Sequence, residues 1–562
     1  MKEESVQDTI HPKRAALLGT RAPKSHSRRK FMSQVGFTSS LRFLRANGRL
    51  FVPAIAMIAL IVTFSGLAQE GARSFNKIWG ERYKPARQVQ LPERKSFPRG
   101  GNTLMRFHHW NEVAINASGL DHTPIPPGEI RIFGEQLGPG RSSRAMAIVH
   151  IAMFDSINAI VGGYWSFSGI PRVHEDTSMD SAIAQSAHDT LVACFPSQAP
   201  SFDQELAEDL SQIPDGHAKA NGIALGRGAA AAILELKRND GSLHPEPRFG
   251  IDFFPSDQPG RWRQDPISLI PIALGAHWGG VNPFVLQSGN QFRVPVPPAL
   301  TSQEYTSAFN EVQRLGGDGI VTPTERTVEQ TQIGIYWAYD GTPSLCAPPR
   351  LYNQLAMKIA EDRNTDNVLE LARLMALVNT AMADAGIAIW ESKYFYDYWR
   401  PVTGIRESDE GTGPTGLGDG NPETHGDVTY SPLGAPASNL TGYNFTPPFP
   451  AYPSGHAGFG GALFQTLRNF YGTDRIAFTF VSDEFNGVTA DNHGHLRPLI
   501  PRSFTTLSEA EEENGQSRIY LGIHWSFDKT EGITQGRRVA NYVFENAFTP
   551  VQGNRGSRRG HK

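Results

Sequence analysis

The sequence predicts an all-α protein: one helical bundle, or two packed together, with long loops rich in Gly and Pro and one apolar helix near the N-terminus. Three observations carry that expectation. Apolar residues recur at three and four positions along many successive segments; no comparable set of segments alternates as strands do; and the remaining stretches are polar or crowded with Gly and Pro. Among 562 residues, 39% are hydrophobic and 19% charged, with a net charge of -3. That is an ordinary globular composition without the excess base a nucleic-acid partner calls for.

Residues 1–69 form a basic region followed by a candidate signal or anchor. Eleven Lys or Arg fall within residues 1–49, among them Arg28, Arg29, Lys30, Arg42, Arg45 and Arg49, and residues 50–68 then run nineteen positions without a charge. A run of that length can cross a bilayer. Basic residues before it and Gly66, Leu67 and Ala68 after it fit either a cleaved export signal or a retained anchor. The expectation is that this segment meets the membrane and that everything after about residue 70 is exported, to the periplasm or beyond. Residues 27–32 also resemble a twin-arginine export motif, although the apolar run begins later than such a signal expects. Residues 70–138 are rich in Pro, Gly and Arg with little periodicity and read as an extended arm or linker.

The helical domain is expected over residues 139–548. From Arg144, the series Ala145, Ile148, Ile151, Ala152, Phe154 and Ile157 gives the first core-facing helix. Similar patterns recur at 181–194, 219–237, 302–315, 326–338, 350–361, 367–390, 456–471 and 517–526. Two long loops interrupt them, at 404–450 and 484–516, and flank the motifs described next. Residues 549–562 read as a flexible basic tail. Cys194 and Cys346 are the only cysteines, which excludes a disulfide framework or a cysteine metal site and leaves one bridge open.

Three motifs within residues 390–530 carry chemistry. In the first, Lys393 and Arg400 are seven apart, so both project to one side of a helix, and Pro401 discourages helix at Arg400. In the second, Ser454, Gly455 and His456 precede an apolar helical series and so sit at a helix N-terminus, where unpaired N–H groups and the macrodipole favour an anion. In the third, Arg518 precedes His524, and Asp528 lies four residues on, near enough on a helix to orient the imidazole. Taken singly each has a plainer reading: a solvated pair of cations, an ordinary serine N-cap, a structural ion pair. Together they supply every part needed to hold a tetrahedral oxyanion: cations, hydroxyl and amide donors, and a histidine that ligates or attacks the central atom.

The order and spacing resemble the vanadium-dependent haloperoxidases and the broader type 2 phosphatidic acid phosphatase superfamily. The resemblance extends to Tyr336, Trp337, Ala338, Tyr339, Asp340 and Gly341, to Pro348, Pro349 and Arg350, and to Asp384, Ala385 and Gly386, over roughly residues 140–545. It implies vanadate as cofactor, with His524 as its single protein ligand. Lys393, Arg400, Arg518, Ser454 and Gly455 would then hold the oxygens, and His456 would act as general base. Hydrogen peroxide and a halide, chloride or bromide, would be the substrates, with a small organic acceptor. The resemblance makes His456, Lys393 and His524 the catalytic set. It places Trp390 and Phe449 beside the halide, phenylalanine at the latter position resembling chloride-oxidising members. Asp340 matches an acid that pairs with the second arginine, Arg518, although Asp528 competes for that role. The alternative on the same residues is an acid phosphatase, with His524 as nucleophile forming a phospho-histidine and His456 protonating the leaving oxygen. A non-enzymatic anion-binding protein would require both histidines to be idle.

Overall fold

A helix that is apolar on every face must lie inside the protein, and the longest helix of this chain does so. The computed structural model describes residues 75–86, 102–126 and 128–551, all within one compact unit. In chain order its first helices are α1 Thr103–Asp121, α2 Gly138–Val161, α3 Met179–Cys194, α4 Ala199–Ser211, α5 His217–Leu236, α6 Gln303–Leu315 and α7 Val328–Tyr336. Then follow α8 Pro348–Asp362, α9 Val368–Tyr396, α10 Pro401–Arg406, α11 Gly455–Tyr471, α12 Leu507–Tyr520 and α13 Ser526–Asn546. Helix α9 is the spine. Asn367 caps it, its Oδ1 accepting from Leu369 N and Glu370 N at 3.0 and 3.1 Å. It is buried almost throughout, with α2 packed along it on one side and α11 and α13 on the other. Both α2 and α9 are long and apolar enough to cross a membrane, but each is buried in the bundle. One continuous apolar core joins the two sides.

Strands are few and short among the described residues. β1 Lys84–Pro85 pairs antiparallel with β2 Leu440–Thr441. β3 Phe478–Asn486 pairs with β4 Leu499–Phe504 in register Phe478 to Phe504.

Several expectations need correction. The stretch expected as an arm contains α1, whose Phe107, Trp110, Ala114 and Ala117 are buried at helical spacing. Its pattern is masked by polar residues that find partners inside: Arg106 Nε and Trp110 Nε1 both bind Asp209, at 2.7 and 2.9 Å. Phe75, Trp79 and Tyr83, in the same stretch, are buried against Ile270, Ile272 and Phe445. The loop expected at 484–516 contains most of the β3–β4 hairpin and the start of α12, and the helix expected at 517–526 is two helices meeting at a turn. Of the expected tail, Thr549 O accepts from Trp165 N at 2.9 Å and Val551 N donates to Gly163 O at 3.0 Å. Cys194 and Cys346 are both buried free thiols. The signal or anchor segment at 50–68 and the tail beyond 551 lie outside the described residues.

Candidate active site

The cations come from helix ends. Asp397 takes a left-handed conformation (φ 52°) that ends α9 just past Lys393, and Pro401 starts α10 with Arg400 as its N-cap. The two therefore meet across a break between helices and not on one helix face, and Arg400 stands at the head of the second helix. Lys393 Nζ donates to the carbonyls of Pro450 and Ala451 at 2.8 and 2.9 Å. Arg400 donates to Phe449 O at 2.9 Å and to Ile523 O at 2.8 Å. The carbonyls of Phe449, Pro450 and Ala451 lie in the run from Pro447 to Pro453, which holds four prolines and so has few N–H groups to form a ladder. Arg518, on α12, reaches both oxygens of Asp340 through Nη2, at 2.7 and 2.9 Å. Its Nε and Nη1 are buried with no hydrogen-bond partner.

The two histidines face this cluster with defined tautomers. His524 lies in the turn between α12 and α13, not on a helix as the four-residue spacing to Asp528 implied. Its Nδ1 is 2.7 Å from Asp528 Oδ2, which also accepts from Trp525 N at 3.1 Å. Nδ1 thus carries the proton, and the Nε2 lone pair faces Arg400 Nη1 at 2.9 Å. His456 sits in the first turn of α11, its Nε2 donating to the carbonyl of Ala338, so its free lone pair is on Nδ1. Ser454 is the N-cap of that helix. A Cβ on Gly455 would lie 3.4 Å from the Trp390 ring and 4.0 Å from Lys393 Cε, so glycine keeps open the space beside the lysine. Trp390 and Phe449 stand 4.9 Å apart, with Lys393 Nζ 5.0 Å from the centre of the Phe449 ring, within cation–π range. Every candidate site residue from the sequence is thereby brought into one neighbourhood. Asp340 serves Arg518, and Asp528 serves His524.

The cluster repels its own charge. Burial, then Arg400, pulls the Lys393 pKa well below its ordinary value. Burial pushes Arg400 down to about 9 despite Asp528. Both histidines are held well below the usual imidazole range, by burial and then by Arg518 at His456 and Arg400 at His524. Burial raises Asp528 to about 7. Near neutral pH both imidazoles are uncharged and offer lone pairs, while an anion placed among the cations would relieve the repulsion.

Sequence reasoning missed the groups that hold His456. Tyr352 OH and Asn514 Nδ2 each lie 3.0 Å from its backbone carbonyl. Nothing in the local pattern marks a carbonyl partner, and both side chains come from other helices. The site forms the floor of a cavity of about 700 Å³ counted out to its open mouth, walled also by Trp79, His122, Ile270, Ile272, Leu274 and Phe445.

A helical bundle whose helix ends converge on two unpartnered guanidinium nitrogens and two neutral imidazoles has the donor set that an oxyanion-binding enzyme requires. Comparison with known proteins narrows this. The family model for the second helical-bundle domain of vanadium chloroperoxidase matches residues 373–553. Vanadium chloroperoxidase of Curvularia inaequalis is 31% identical over 503 residues, covering 75% of this chain and 78% of that protein. This chain belongs to the vanadium-dependent haloperoxidase family. Its fold resembles a bacterial vanadium-dependent iodoperoxidase (TM-score 0.60, 23% identity, covering 78% of this chain and 96% of that one). It also resembles an apo-type bacterial vanadium-dependent chloroperoxidase (TM-score 0.54, 17% identity, 73% and 94%).

Proposed function

We propose that this chain is a vanadate-dependent haloperoxidase that oxidises chloride or bromide with hydrogen peroxide to hypohalous acid and so halogenates small organic acceptors. The observation that carries the reading is Arg518, whose Nε and Nη1 are buried without partners beside a histidine whose Nε2 lone pair is free of a proton. Buried donors of this kind are costly unless an acceptor completes them, and an oxyanion does. Among the described residues no three His, Cys, Asp or Glu side chains group to hold a metal ion, so the donor set suits a metal that brings its own oxygens.

Bound vanadate would supply a Lewis-acid centre on which peroxide becomes electrophilic toward halide. Around it, His524 Nε2 is the ligand and Asp528 fixes its tautomer. Lys393, Arg400 and Arg518 neutralise the oxygens, and Ser454 Oγ and Gly455 N donate to them. Asp340 keeps Arg518 in place. His456 takes the proton of incoming hydrogen peroxide at Nδ1. Trp390 and Phe449 exclude water beside Lys393, where halide would approach.

Phosphate would fit the same donors, so the decisive assay runs both chemistries. Vanadate-loaded protein is given peroxide, bromide and a halogenatable dye, beside vanadate-free protein with a phosphate ester. Dye halogenation without ester hydrolysis is expected; ester hydrolysis alone overturns the reading in favour of the phosphatase. His456→Ala should retain vanadate yet lose roughly 10²- to 10⁴-fold in turnover.

We also infer that the folded part works outside the cytoplasm, on the strength of the basic residues before position 50 and the uncharged run to 68. Protease added to spheroplasts should cleave it. Protection, with cytoplasmic fractionation, would refute export.

A further inference from the structure

We propose that Tyr339 is a positioning residue for the site: its left-handed backbone, and its hydroxyl tied to the β3–β4 hairpin, hold the Ala338 carbonyl against His456 and the Asp340 carboxylate against Arg518. Tyr339 has φ 44° and is fully buried. That conformation crowds Cβ against the following carbonyl and is uncommon for a bulky residue. Such outliers persist only where the surroundings fix them. Here the turn lets the carbonyl before it and the carboxylate after it face one cluster. Ala338 O accepts from His456 Nε2, and Asp340 accepts from Arg518 Nη2 at 2.7 and 2.9 Å. Asp340 Oδ1 also lies 3.9 Å from the same His456 nitrogen.

Three bonds hold Tyr339, and none comes from the site. Asp483 N donates to its phenolic oxygen at 2.7 Å, that hydroxyl donates to Gln354 Oε1 at 3.2 Å, and Tyr339 N donates to Glu484 Oε1 at 3.4 Å. Gln354 in turn donates to Asp483 Oδ2 at 3.1 Å, so α8 and β3 grip the phenol together. The consequence reaches the imidazole. A carbonyl can only accept, so while Ala338 O stays in place His456 keeps its proton on Nε2 and its lone pair on Nδ1. Were that carbonyl to turn away, the proton would be free to sit on either nitrogen, and only one of the two forms leaves Nδ1 able to take a proton.

The test reads the tautomer directly. Full-length, vanadate-free protein with isotope-labelled histidine reports it through the imidazole nitrogen chemical shifts, the His456 signals being identified by their loss in His456→Ala. The parent should show His456 protonated at Nε2 alone. Tyr339→Phe keeps the ring and loses the hydroxyl; it should give His456 a mixture of both tautomers and weaken vanadate about tenfold in equilibrium dialysis, the low end of what a supporting group is worth to a bound metal. Tyr336→Phe is the matched control. Tyr336 is also buried and its hydroxyl donates to Phe480 O on the same strand at 2.8 Å, but it lies outside the turn from Ala338 to Asp340, so tautomer and affinity should stay parental. Gln354→Leu, at a half-buried position, removes the acceptor of the Tyr339 hydroxyl and should shift both readouts the same way in smaller measure; it decides the matter if Tyr339→Phe does not fold. A parental tautomer in the deciding variant, or equal changes in Tyr336→Phe, would overturn the proposal. The tautomer needs no vanadate, so a parent that fails to bind vanadate refutes the proposed function and leaves this test standing.

Discussion

Two arginines, equally hidden from solvent, show how differently this protein treats buried charge. Arg350, on α8, is 2% exposed and Arg400 is 1% exposed. Arg350 is paired with Asp483 and donates to Ile115 O at 3.1 Å. Burial works against its charge, but Asp483 and then Tyr339 outweigh it, and its pKa rises. Arg400 touches carbonyls and a histidine but no carboxylate, and burial brings it down to about 9. The first arginine is complete within the protein. The second belongs to a cluster whose counter-charge must come from outside, so structural and functional guanidinium groups are told apart by what satisfies them and not by burial.

That contrast sets the order of expected effects. The largest concerns the incoming anion itself: His524→Ala should weaken vanadate retention by more than about 100-fold in equilibrium dialysis, since it removes the only protein atom proposed to bond the metal. Unaltered affinity would remove His524 from that role. Next, Arg350→Met should cost about 3–5 kcal/mol in denaturant unfolding, because it strands a mostly buried carboxylate. Arg400→Met should cost less than about 2 kcal/mol, since only neutral carbonyls and the neutral imidazole of His524 lose a partner. Equal losses would break the comparison.

Anion binding should then stabilise the parent. At about 100 times its Kd, vanadate should add about 2.7 kcal/mol, seen as a higher unfolding midpoint, and Arg400→Met should lose most of that gain. The smallest effect belongs to His150, a buried group that is complete in the manner of Arg350. Its Nδ1 donates to Met146 O at 2.7 Å, its Nε2 lies 2.8 Å from the side-chain amide of Asn111 and accepts from it, and burial pulls its pKa down to about 4. The unfolded chain takes up the proton near pH 6.5 and the folded one only near 4. Stability is therefore full above the unfolded value and falls as pH drops through this window. Between about pH 7.5 and 5.5 the loss should be about 1.4 kcal/mol. His150→Gln should lack that part of the acid sensitivity, measured as midpoints at the two pH values.

The sequence made the helical body and the chemistry legible for the same reason: both are carried by spacing. Apolar recurrence marked α2, α3, α6 and α9, and the three short motifs named the groups that converge. What stayed hidden depends on partners far along the chain. Helix α1 reads as an arm because Arg106 and Trp110 are satisfied by Asp209, about a hundred positions away. The hairpin was missed because only its first few residues, from Phe478, alternate cleanly between buried and exposed. The break that places Arg400 on its own helix follows from Pro401, which the sequence flagged, and from the left-handed conformation of Asp397, which it did not. The pairings of Asp340 with Arg518 and of Asp528 with His524 are both anticipated in the sequence, and the structure removes only the competing claim of Asp528 on Arg518.

The wall that carries Trp79 is fastened differently from the floor beneath it. The floor is built from helix ends anchored in the main core, whereas the wall is latched by a two-residue ladder between Lys84–Pro85 and Leu440–Thr441, joining residues 357 positions apart in the chain. The ladder is short, but Phe75, Trp79 and Tyr83 are buried against Ile270, Ile272 and Phe445, so opening this segment would expose that cluster. Backbone amides around residues 84–86 and 440–441 should exchange with deuterium well before those of α9. One side of the chamber is thus closed by two segments far apart in the chain, so that a change in either would reshape its mouth.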